Sequence, residues 1–413
     1  MKRKIIVVGA GPAGMMAAIR AGQCGALVTL IEKNPILGKK LLLSGKGRCN
    51  LTNFCDLDSF LKKLSKKGEF LRDAFKKFFN NDLINFFEKR GLKLKIERQN
   101  RVFPVSDQAI SVIRVLEKEL LRQKVKILYN TTLKDIILQD GKVKGILLMD
   151  KNIFSLDKLI LATGGKSYPQ TGSTGETFEL LKKLGHTIIP LKPGLVALET
   201  TQAYSHQLAG LTLKNIRLKF SEGKKEIISE IGELLFTDFG ISGPLVLSLS
   251  AQVVDWLIEN KPVYVEIDLK PALSIEKLNA RLLREFKTNS KKSIRNTLKN
   301  LLPKRLVDIF IELVDIDPNK KSNQITQRER YNLIFLLKKW RLDILRPRPL
   351  DEAMISRGGV ALKEINPLTM ESKLIKGLYF AGEMIDIDAD TGGFNLQAAF
   401  STGYLAGENA ALN

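Results

Sequence analysis

The chain has 413 residues, a hydrophobic content of 44% and a formal net charge of +22 at pH 7. This length allows two or three domains, and no apolar run approaches the ~18 residues of a membrane helix, which argues against an integral membrane protein. Three cysteines (Cys24, Cys49, Cys55) argue against a disulfide framework, and with only two histidines we expect no metal site.

The net charge of +22 has two explanations. It can mark an anionic partner such as nucleic acid, or a lysine-rich composition that spreads positive charge over solvated surfaces. Lysine, isoleucine and asparagine are abundant, which favours the second explanation. We therefore expect a small-molecule substrate and no membrane association, with nucleic acid as the less favoured partner. The first apolar run lies close to the N-terminus, so we expect no signal peptide and a cytoplasmic location. The oligomeric state is left open.

Residues 4–32 have the pattern of a strand, a glycine turn, a helix and a second strand. Gly9, Gly11 and Gly14 form G-x-G-x-x-G, and Glu32 ends the second strand 18 residues after Gly14. Gly9 permits a tight turn, Gly11 lets a pyrophosphate approach the backbone, and Gly14 lets the helix pack on the strand. Glu32 would accept a hydrogen bond from a ribose hydroxyl. The pattern predicts a dinucleotide-binding Rossmann unit.

Two later segments combine glycines with hydroxyl and basic side chains. Residues 39–53 contain the run SGKGRCN, and residues 166–175 read KSYPQTGSTG. Such runs do not hold regular structure and let the backbone approach a ligand. We therefore predict a binding loop in each segment, the first with lysine and arginine side chains placed for phosphates or an electron-rich ring.

Between these loops the sequence predicts helices and strands. Residues 60–90 form amphipathic helices whose phenylalanines we assign to the core, and a helix ending at Arg122 is capped by Ser106 and Asp107. A short antiparallel meander follows over 125–149. A buried strand in 156–165 then returns the chain to the nucleotide edge of the sheet.

After Pro190 the pattern changes to alternating strands up to Asp268, and 273–340 is helical and basic. Within 281–305, nine Lys or Arg stand against one acid, Glu285. The nucleotide-binding domain is therefore predicted to be discontinuous, with an insertion of strands followed by helices.

The C-terminal segment decides between NAD and FAD. Glu383 follows a strand, and Gly392 and Gly393 open a long helix. Flavoproteins of the glutathione-reductase type bind the FAD ribitol through such an acid, usually Asp. The turn at Thr163 and Gly164 matches the ATG segment of the same class. We expect the helix to point its N-terminus at the flavin, with glycines where a Cβ would intrude. This arrangement favours FAD.

The motifs SGKGRCNLTN, RVFPVSDQA, TGGKSYPQTGSTG, FTDFGISGP, RPRPLDEAMISRGGV and GLYFAGEMIDIDADTGGFNLQAA together resemble the YhiN/HI0933-like flavoprotein family, also called BaiN-like. They follow the family's order and span essentially the whole chain. The resemblance implies an α/β fold with a Rossmann-type, glutathione-reductase-like FAD-binding domain, an inserted β-barrel and a helical subdomain. We expect these domains at 1–190 with 346–413, at 191–270 with 341–345, and at 271–340.

The glycine motifs and the family resemblance together imply a set of cofactor contacts. We expect FAD to be bound by Gly9, Gly11, Pro12, Ala13, Gly14, Glu32, Lys33, Lys40, Ser44, Gly45, Arg48, Cys49, Asn50, Leu133, Thr163, Gly164, Gly382, Glu383, Gly392, Gly393, Asn395 and Leu396.

The expected function is that of an FAD-dependent oxidoreductase that transfers a hydride between flavin N5 and a small organic substrate. NAD(P)H is the expected donor, although no second glycine fingerprint is present for it. The catalytic group is unknown. Candidates are Cys49, as a thiolate favoured by Arg48 or, as we favour, a small packed residue; Tyr168; Asp238; and Arg357, which could equally hold an anion or bridge domains.

Two other functions fit the sequence. The basic helical insertion would suit a flavoprotein that binds or modifies RNA. A NAD-binding regulator without turnover would need only the first fingerprint. His186 and His206 lie outside the glycine motifs, and we assign both to structural roles.

Overall fold

A computed structural model describes residues 2–65 and 67–413. The strands are β1 (Lys4–Val8), β2 (Leu27–Ile31), β3 (Thr52–Asn53), β4 (Leu94–Glu97), β5 (Arg101–Pro104), β6 (Lys126–Leu128), β7 (Leu133–Gln139), β8 (Lys142–Leu148), β9 (Ile153–Ser155), β10 (Lys158–Leu161), β11 (Ile188–Gly194), β12 (Leu198–Thr200), β13 (Thr212–Ser221), β14 (Glu226–Ile228), β15 (Gly232–Phe236), β16 (Gly240–Ser242), β17 (Val263–Asp268), β18 (Trp340–Pro347), β19 (Ile355–Val360) and β20 (Leu378–Phe380).

The α-helices complete the secondary structure of the same residues. They are α1 (Pro12–Gln23), α2 (Leu57–Leu61), α3 (Arg72–Lys77), α4 (Asn80–Glu88), α5 (Ala109–Arg122), α6 (Glu176–Lys183), α7 (Ala203–His206), α8 (Pro244–Ile258), α9 (Ile275–Thr288), α10 (Ile294–Leu298), α11 (Lys304–Leu313), α12 (Gln327–Lys338) and α13 (Phe394–Leu412).

The chain separates into two compact units. The first comprises Met1–Gly194 and Leu350–Asn413, and the second comprises Leu195–Pro349. The discontinuous first unit has the organisation that the sequence predicts for a nucleotide-binding domain. The further division of the insertion into a barrel domain and a helical domain stays a prediction.

A five-stranded parallel sheet in the order β20-β10-β1-β2-β6 forms the centre of the first unit. The apolar run of β1 lies between β10 and β2, with Ile5 paired to Lys158 and Val28. A central parallel strand is covered on both faces, which explains why its residues are continuously apolar instead of alternating. The sheet confirms the predicted Rossmann-type fold.

The first and last helices pack against each other because their contact surface is built from small residues. A Cβ on Gly403 would lie 2.2 Å from the carbonyl oxygen of Ala13, and a Cβ on Gly407 would lie 2.3 Å from that of Ala17. Helix α13 can therefore approach the backbone of α1 closely. This contact joins the C-terminal segment to the fingerprint turn.

Two local predictions for the first unit are wrong. The meander predicted over 125–149 divides, since β6 joins the parallel sheet beside β2 while β7, β8 and β9 form a separate antiparallel sheet. Helix α5 begins at Ala109 with Gln108 as N-cap residue and has no side-chain cap. Asp107 instead accepts hydrogen bonds from Arg48 and Lys95, both at 2.7 Å.

In the second unit, six antiparallel strands close into a ring. The pairing runs β13-β15-β16-β12-β18-β17 and returns to β13, with β14 added to one end of β13. Alternate residues such as Phe220, Val265 and Leu342 are fully buried. Closure removes the free sheet edges and gives the barrel that the family resemblance implies.

Two helices of the second unit lie where the sequence predicts alternating strands: the four-residue α7, Ala203–His206, and the longer α8. Residues predicted as alternating strands include α8, Pro244–Ile258, which packs against β13, β15, β16, β17 and β18. Most of its residues are apolar and many are buried, so it shows no helical periodicity of polar and apolar positions. Gly243 and Pro244 at its start are a helix-start signal that the strand prediction did not use.

The predicted helical segment is confirmed as α9–α12 in residues 273–340. Leu278, Leu282 and Phe286 of α9 and Leu333 and Leu337 of α12 form buried stripes at helical spacing. The charged residues lie on the opposite, exposed faces. These helices therefore bury one side and present a basic side to solvent.

Candidate functional site

The turn between β1 and α1 needs glycine at two positions for the packing of the protein itself. Gly9 has φ +99°, and a Cβ there would lie 2.4 Å from the carbonyl oxygen of Ala162. A Cβ on Gly14 would lie 1.8 Å from the carbonyl oxygen of Gly9. A Cβ on Gly11, by contrast, would meet no protein atom within 4 Å. Gly11 borders open space, which fits the approach of a pyrophosphate to the start of α1.

Glu32 is buried at the end of β2 and is held by the backbone. Its Oε2 accepts from the Ala10 N–H at 2.8 Å, and its Oε1 accepts from the backbone and side-chain amides of Asn34 at 2.8 and 2.7 Å. These bonds fix the carboxylate beside the fingerprint turn, a position that suits a ribose hydroxyl. Asn34 was not identified from the sequence as a partner of Glu32, although an amide two residues after the acid is a recognisable signal.

The Arg48 guanidinium is paired with two acids of the protein, and its predicted contact with FAD stays a prediction. The guanidinium bonds Asp107 at 2.7 Å, pairs with Glu97 and lies 4.1 Å from the centre of the Phe103 ring. Hydrogen bonds from Arg48, and then from Lys95, lower the pKa of Glu97 despite some desolvation. Arg48 therefore joins the binding loop to β4 and β5.

Cys49 is fully buried and carries no thiolate. Burial raises the pKa of its thiol to about 12, so the group is protonated at neutral pH. Arg48 is engaged elsewhere, as described above. The hypothesis of a reactive thiolate at Cys49 is therefore wrong, and the small packed residue that we favoured agrees with the burial. Contact between Cys49 and a flavin ring stays a prediction.

Asn50 supplies a test of whether the loop fits a cofactor. Its Oδ1 is buried and has no hydrogen-bond partner in the described chain, which is costly unless a ligand supplies a donor. Nearby, Gly45 has φ +57°, and Ser44 donates to the Leu41 carbonyl at 2.7 Å. The flavin ring carries an N–H donor, so an unsatisfied acceptor beside this glycine loop fits FAD.

Glu383 joins three separated segments of the first unit. Its Oε2 accepts from Lys40 Nζ at 2.8 Å, and its Oε1 accepts from the Ser356 N–H at 2.7 Å and the Ser167 hydroxyl at 3.1 Å. Lys40 also donates to Ser167 at 2.7 Å. The three predicted binding regions thus meet at one carboxylate just after β20. Ser356 and Ser167 were not identified from sequence as partners of this acid.

The loop after β10 carries Thr163, Gly164 and Tyr168. The Thr163 hydroxyl lies 3.3 Å from the Met384 sulfur, and Gly164 adopts φ +78°. Tyr168 has φ +51°, an unusual conformation for an aromatic residue, and its N–H donates to the Asp351 carbonyl at 3.1 Å. Such backbone strain is often found at functional sites, so Tyr168 remains a candidate.

The start of α13 corrects one physical interpretation. We expected a Cβ at Gly393 to intrude on the flavin, but with φ +98° it would lie 2.4 Å from the backbone of Thr52. Asn395 bonds the Ala389 carbonyl at 2.9 Å, and Asn53 bonds the Gly392 carbonyl at 3.1 Å. Glycine is therefore required here by contacts within the protein. A role of this helix terminus towards FAD stays a prediction.

Arg357 lies on β19 with its side chain 19% exposed. Its Nε is 3.6 Å from Asp388 Oδ2, and its Cγ would be 2.8 Å from a Cβ on Gly194. Arg357 directly follows Ser356 in the chain, and the Ser356 N–H bonds Glu383. Both predicted roles, anion binding and bridging of domains, stay predictions.

The remaining predicted residues lie at the following positions. Pro12 and Ala13 form the first turn of α1, and Lys33 donates to the Thr174 hydroxyl at 2.8 Å. Leu133 and Leu396 are partly buried against the hydrophobic core. Gly382 follows β20, and Asp238 lies exposed in the second unit, in the turn after β15.

His186 is buried between two partners in the first unit. Its Nδ1 is 3.2 Å from Glu364, and its Nε2 is 3.2 Å from the Ser372 hydroxyl. The Ser372 oxygen also accepts from two backbone N–H groups, those of Leu374 and Ile375. Burial lowers the pKa of His186, against the effect of Glu364. The cluster is fully satisfied within the core, as expected for a structural histidine.

Two absences are found within residues 2–65 and 67–413. No group of three or more His, Cys, Asp or Glu is arranged to hold a metal ion. No helix combines the length and apolar character that a bilayer crossing requires.

The fold and the site define an FAD-dependent oxidoreductase built on a Rossmann-type domain. A family model described as HI0933-like protein Rossmann domain matches residues 3–409, and the chain belongs to this HI0933-like family. The 3-dehydro-bile acid delta(4,6)-reductase of Clostridium scindens is 34% identical, over 99% of this chain and 99% of its own. The ribosomal RNA dihydrouridine synthase of Haemophilus influenzae is 30% identical, over 97% of this chain and 96% of its own.

A solved structure agrees with the fold. The 3-ketosteroid delta1-dehydrogenase of Sterolibacterium denitrificans, in complex with 1,4-androstadiene-3,17-dione, superposes with a TM-score of 0.53 and 13% identity, covering 99% of this chain and 100% of that one. At this identity the likeness concerns the fold alone.

Proposed function

We propose that the protein reduces a carbon–carbon double bond conjugated to a carbonyl group, using FAD, with NAD(P)H as electron donor, in the cytoplasm. The observation that carries the proposal is the chemistry shared by two relatives matched over nearly their whole length. One name specifies reduction at the 4,6 position of a 3-dehydro bile acid, and the other specifies dihydrouridine. In the steroid the double bonds are conjugated to the C3 carbonyl group, and in uracil the 5,6 double bond is conjugated to the C4 carbonyl group.

Reduction of such a bond needs a hydride at the β-carbon and a proton at the α-carbon. Bound FAD supplies the hydride chemistry. We assign the carbonyl oxygen to Arg357, whose positive charge favours the electron density that develops there. We assign the proton to the Tyr168 hydroxyl. In support, Ser167 and Ser356, their sequence neighbours, bond the same Glu383 carboxylate.

The reaction needs an electron donor, because a net reduction requires a reductant. NAD(P)H is the proposed donor, and it would bind transiently, since the sequence has one dinucleotide fingerprint and FAD uses it. The three cysteines are free, which supports a reducing compartment.

Uridine in RNA is the second candidate substrate, in place of a small conjugated ketone. The observation that favours it is charge: residues 271–340 contain sixteen Lys or Arg and seven Asp or Glu. A small apolar ketone carries no charge that a basic surface would attract, whereas the phosphate backbone of RNA does.

The reaction is tested by reducing the holoprotein anaerobically with NADH or NADPH and following flavin absorbance. A 4,6-dien-3-oxo steroid, or a uridine-containing RNA, is then added. Reoxidation of the flavin, with two hydrogens gained by one acceptor in mass spectrometry, supports the proposal and selects the substrate. Failure of every conjugated acceptor to reoxidise the flavin faster than buffer alone would contradict it.

Tyr168→Phe tests the proton donor. We expect kcat to fall about a hundredfold while FAD content is unchanged, because a positioned acid typically contributes about 10²–10⁴-fold. The matched control is Tyr264→Phe on β17, in the barrel, which should keep full activity. A change in KM alone would instead indicate that Tyr168 binds substrate without donating the proton.

A further inference from the structure

Positive charge in the second unit is concentrated on its helical segment. The remainder of that unit, 195–270 with 341–349, contains ten Lys or Arg against eleven Asp or Glu. In the helical segment Arg295, Lys320 and Lys338 pair with acids. Arg305 pairs with no acid of the described chain and instead donates to the backbone carbonyls of Ala209 and Gln207. Within the described residues, ten further exposed cations of the segment make no ion pair: Lys277, Arg284, Lys287, Lys291, Lys292, Lys299, Lys304, Lys321, Arg328 and Lys339.

Two of these cations lie on a helix face that also exposes aromatic rings. Tyr331 and Phe335, one turn apart on α12, are 44% and 63% exposed. Arg328 lies about one turn before Tyr331 and Lys339 one turn after Phe335, and the Lys339 ammonium is 5.7 Å from the centre of the Phe335 ring. Residues at these spacings share one face of a helix. Asn332 adds an exposed amide between the rings.

Backbone contacts bring three further lysines together at the end of α9. Ser293 forms a bridge with Lys321, and the Ser322 N–H donates to the Lys292 carbonyl at 3.0 Å. The segment containing Lys291 and Lys292 therefore runs beside Lys321, six residues before α12 begins at Gln327.

Helix α9 connects this lysine group with the aromatic face. Helix α12 packs on α9, with Arg330 Nε bonding Asn279 Oδ1 at 2.8 Å. The lysine group and the aromatic face thus belong to one layer of helices. We call the set Lys291, Lys292, Lys321, Arg328, Tyr331, Asn332, Phe335 and Lys339 the α12 surface.

We propose that the α12 surface binds single-stranded RNA. The lysines and Arg328 would contact phosphates, and Tyr331 and Phe335 would stack on unpaired bases, the combination by which proteins hold single strands. This inference rests on the second candidate function. An anionic membrane is disfavoured because Asn332 lies between the rings and the exposed face offers only two apolar side chains, too few for a membrane-bound helix.

Binding is measured with the FAD-loaded full chain and a labelled oligouridine of about 16 nucleotides, by fluorescence anisotropy over a salt series. Phe335→Ala and Tyr331→Ala should each weaken binding about tenfold, since stacking on one base is worth about 1–3 kcal/mol. The triple substitution Lys291→Gln, Lys292→Gln, Lys321→Gln should reduce the slope of log affinity against log salt by about two.

Matched controls come from the first unit. Ile153→Ala removes a side chain that is 67% exposed on β9, and a second triple substitution, Lys142→Gln, Lys144→Gln, Lys151→Gln, removes equal charge from an exposed hairpin. Both should leave RNA affinity and salt slope unchanged. Equal losses in the control and test variants would overturn the proposal, as would binding of phosphatidylserine vesicles that RNA cannot displace.

Parallel assays separate this inference from the proposed reaction. Variants of the α12 surface should keep wild-type FAD content and NAD(P)H-dependent flavin reduction, because none of these residues lies in the first unit. RNA binding through this surface without uridine reduction would support the inference and contradict the second candidate function. Uridine reduction that survives loss of the surface would overturn the inference and leave the reaction standing.

Discussion

Charged groups are used differently in the first unit and in the helical segment of the second. Glu32, Glu383 and Arg48 are each held by two or more hydrogen bonds at the candidate site. The ten exposed cations of the helical segment make no ion pair within the described chain. Held charges are fixed in position, whereas exposed charges attract counter-ions over a Debye length and are screened by salt. The first arrangement suits chemistry on a bound cofactor, and the second suits capture of a flexible anion.

Gly11→Val should give the largest effect and tests whether the first unit is shaped around a ligand. Because a Cβ at Gly11 meets no protein atom, the apoprotein should fold normally, while FAD binding weakens at least about a hundredfold, or about 2.7 kcal/mol. Gly14→Val should instead destabilise the fold itself. The measurements are FAD per protein after gel filtration and the unfolding midpoint of the FAD-free protein. Full FAD retention by Gly11→Val would show that no pyrophosphate uses this space.

The pH dependence of stability also distinguishes the first unit from the helical segment, with an expected effect of intermediate size. Burial lowers the pKa of His186 from its ordinary 6.5, so the unfolded state binds a proton more readily. The contribution of neutral His186 to the free energy of unfolding should be at its maximum above pH 6.5. Below that pH the free energy of unfolding should fall, by at most about 1.4 kcal/mol per pH unit. Glu364 is desolvated, yet hydrogen bonds from Thr187 and His186 lower its pKa overall, so its contribution is lost only below about pH 4.5.

The window between pH 4.5 and 6.5 therefore isolates His186. His186→Gln should flatten the dependence of the unfolding free energy there, measured by urea denaturation. Lys291→Gln with Lys292→Gln, in the helical segment, should leave it as in the parent, because neither substitution changes His186 or its partners Glu364 and Ser372. If His186→Gln left the slope of unfolding free energy against pH unchanged, that slope would have to come from another titrating group.

Cys49→Ala should give the smallest effect. A thiol with a pKa near 12 is neither a nucleophile nor a base at neutral pH, so turnover should stay within about twofold of wild type. Iodoacetamide should modify half-buried Cys24 and Cys55 before Cys49. A loss of activity in Cys49→Ala with normal FAD content would restore a catalytic role for this side chain.

Sequence reasoning succeeded where a local pattern has a local cause. The strand β1, the glycine turn and α1 follow from short-range constraints within 30 residues, and the buried phenylalanines of 60–90 follow from helical spacing. The same holds for the helix that starts after Gly393. Each of these features depends on residues close together in the chain, so one sequence was enough to predict it.

The errors share a different origin, since each depends on a partner distant in sequence. The predicted cap of α5 at Asp107 is absent because Arg48 and Lys95 bond that carboxylate instead. Strand β6 reads as part of a meander until β2 pairs with it. Helix α8 is apolar around most of its circumference and packs against five barrel strands that precede or follow it in the chain, and this composition hides the periodicity that identifies a helix.

The contact between α1 and α13 has a consequence for biosynthesis. Gly403 and Gly407 press α13 onto Ala13 and Ala17, and β20 completes one edge of the parallel sheet. A ribosome must therefore finish the last 64 residues, 350–413, before the first unit can close. The contiguous second unit, 195–349, emerges whole before then. Cofactor loading is accordingly a step that follows synthesis of β20 and α13, and nascent chains truncated before β20 should bind no FAD.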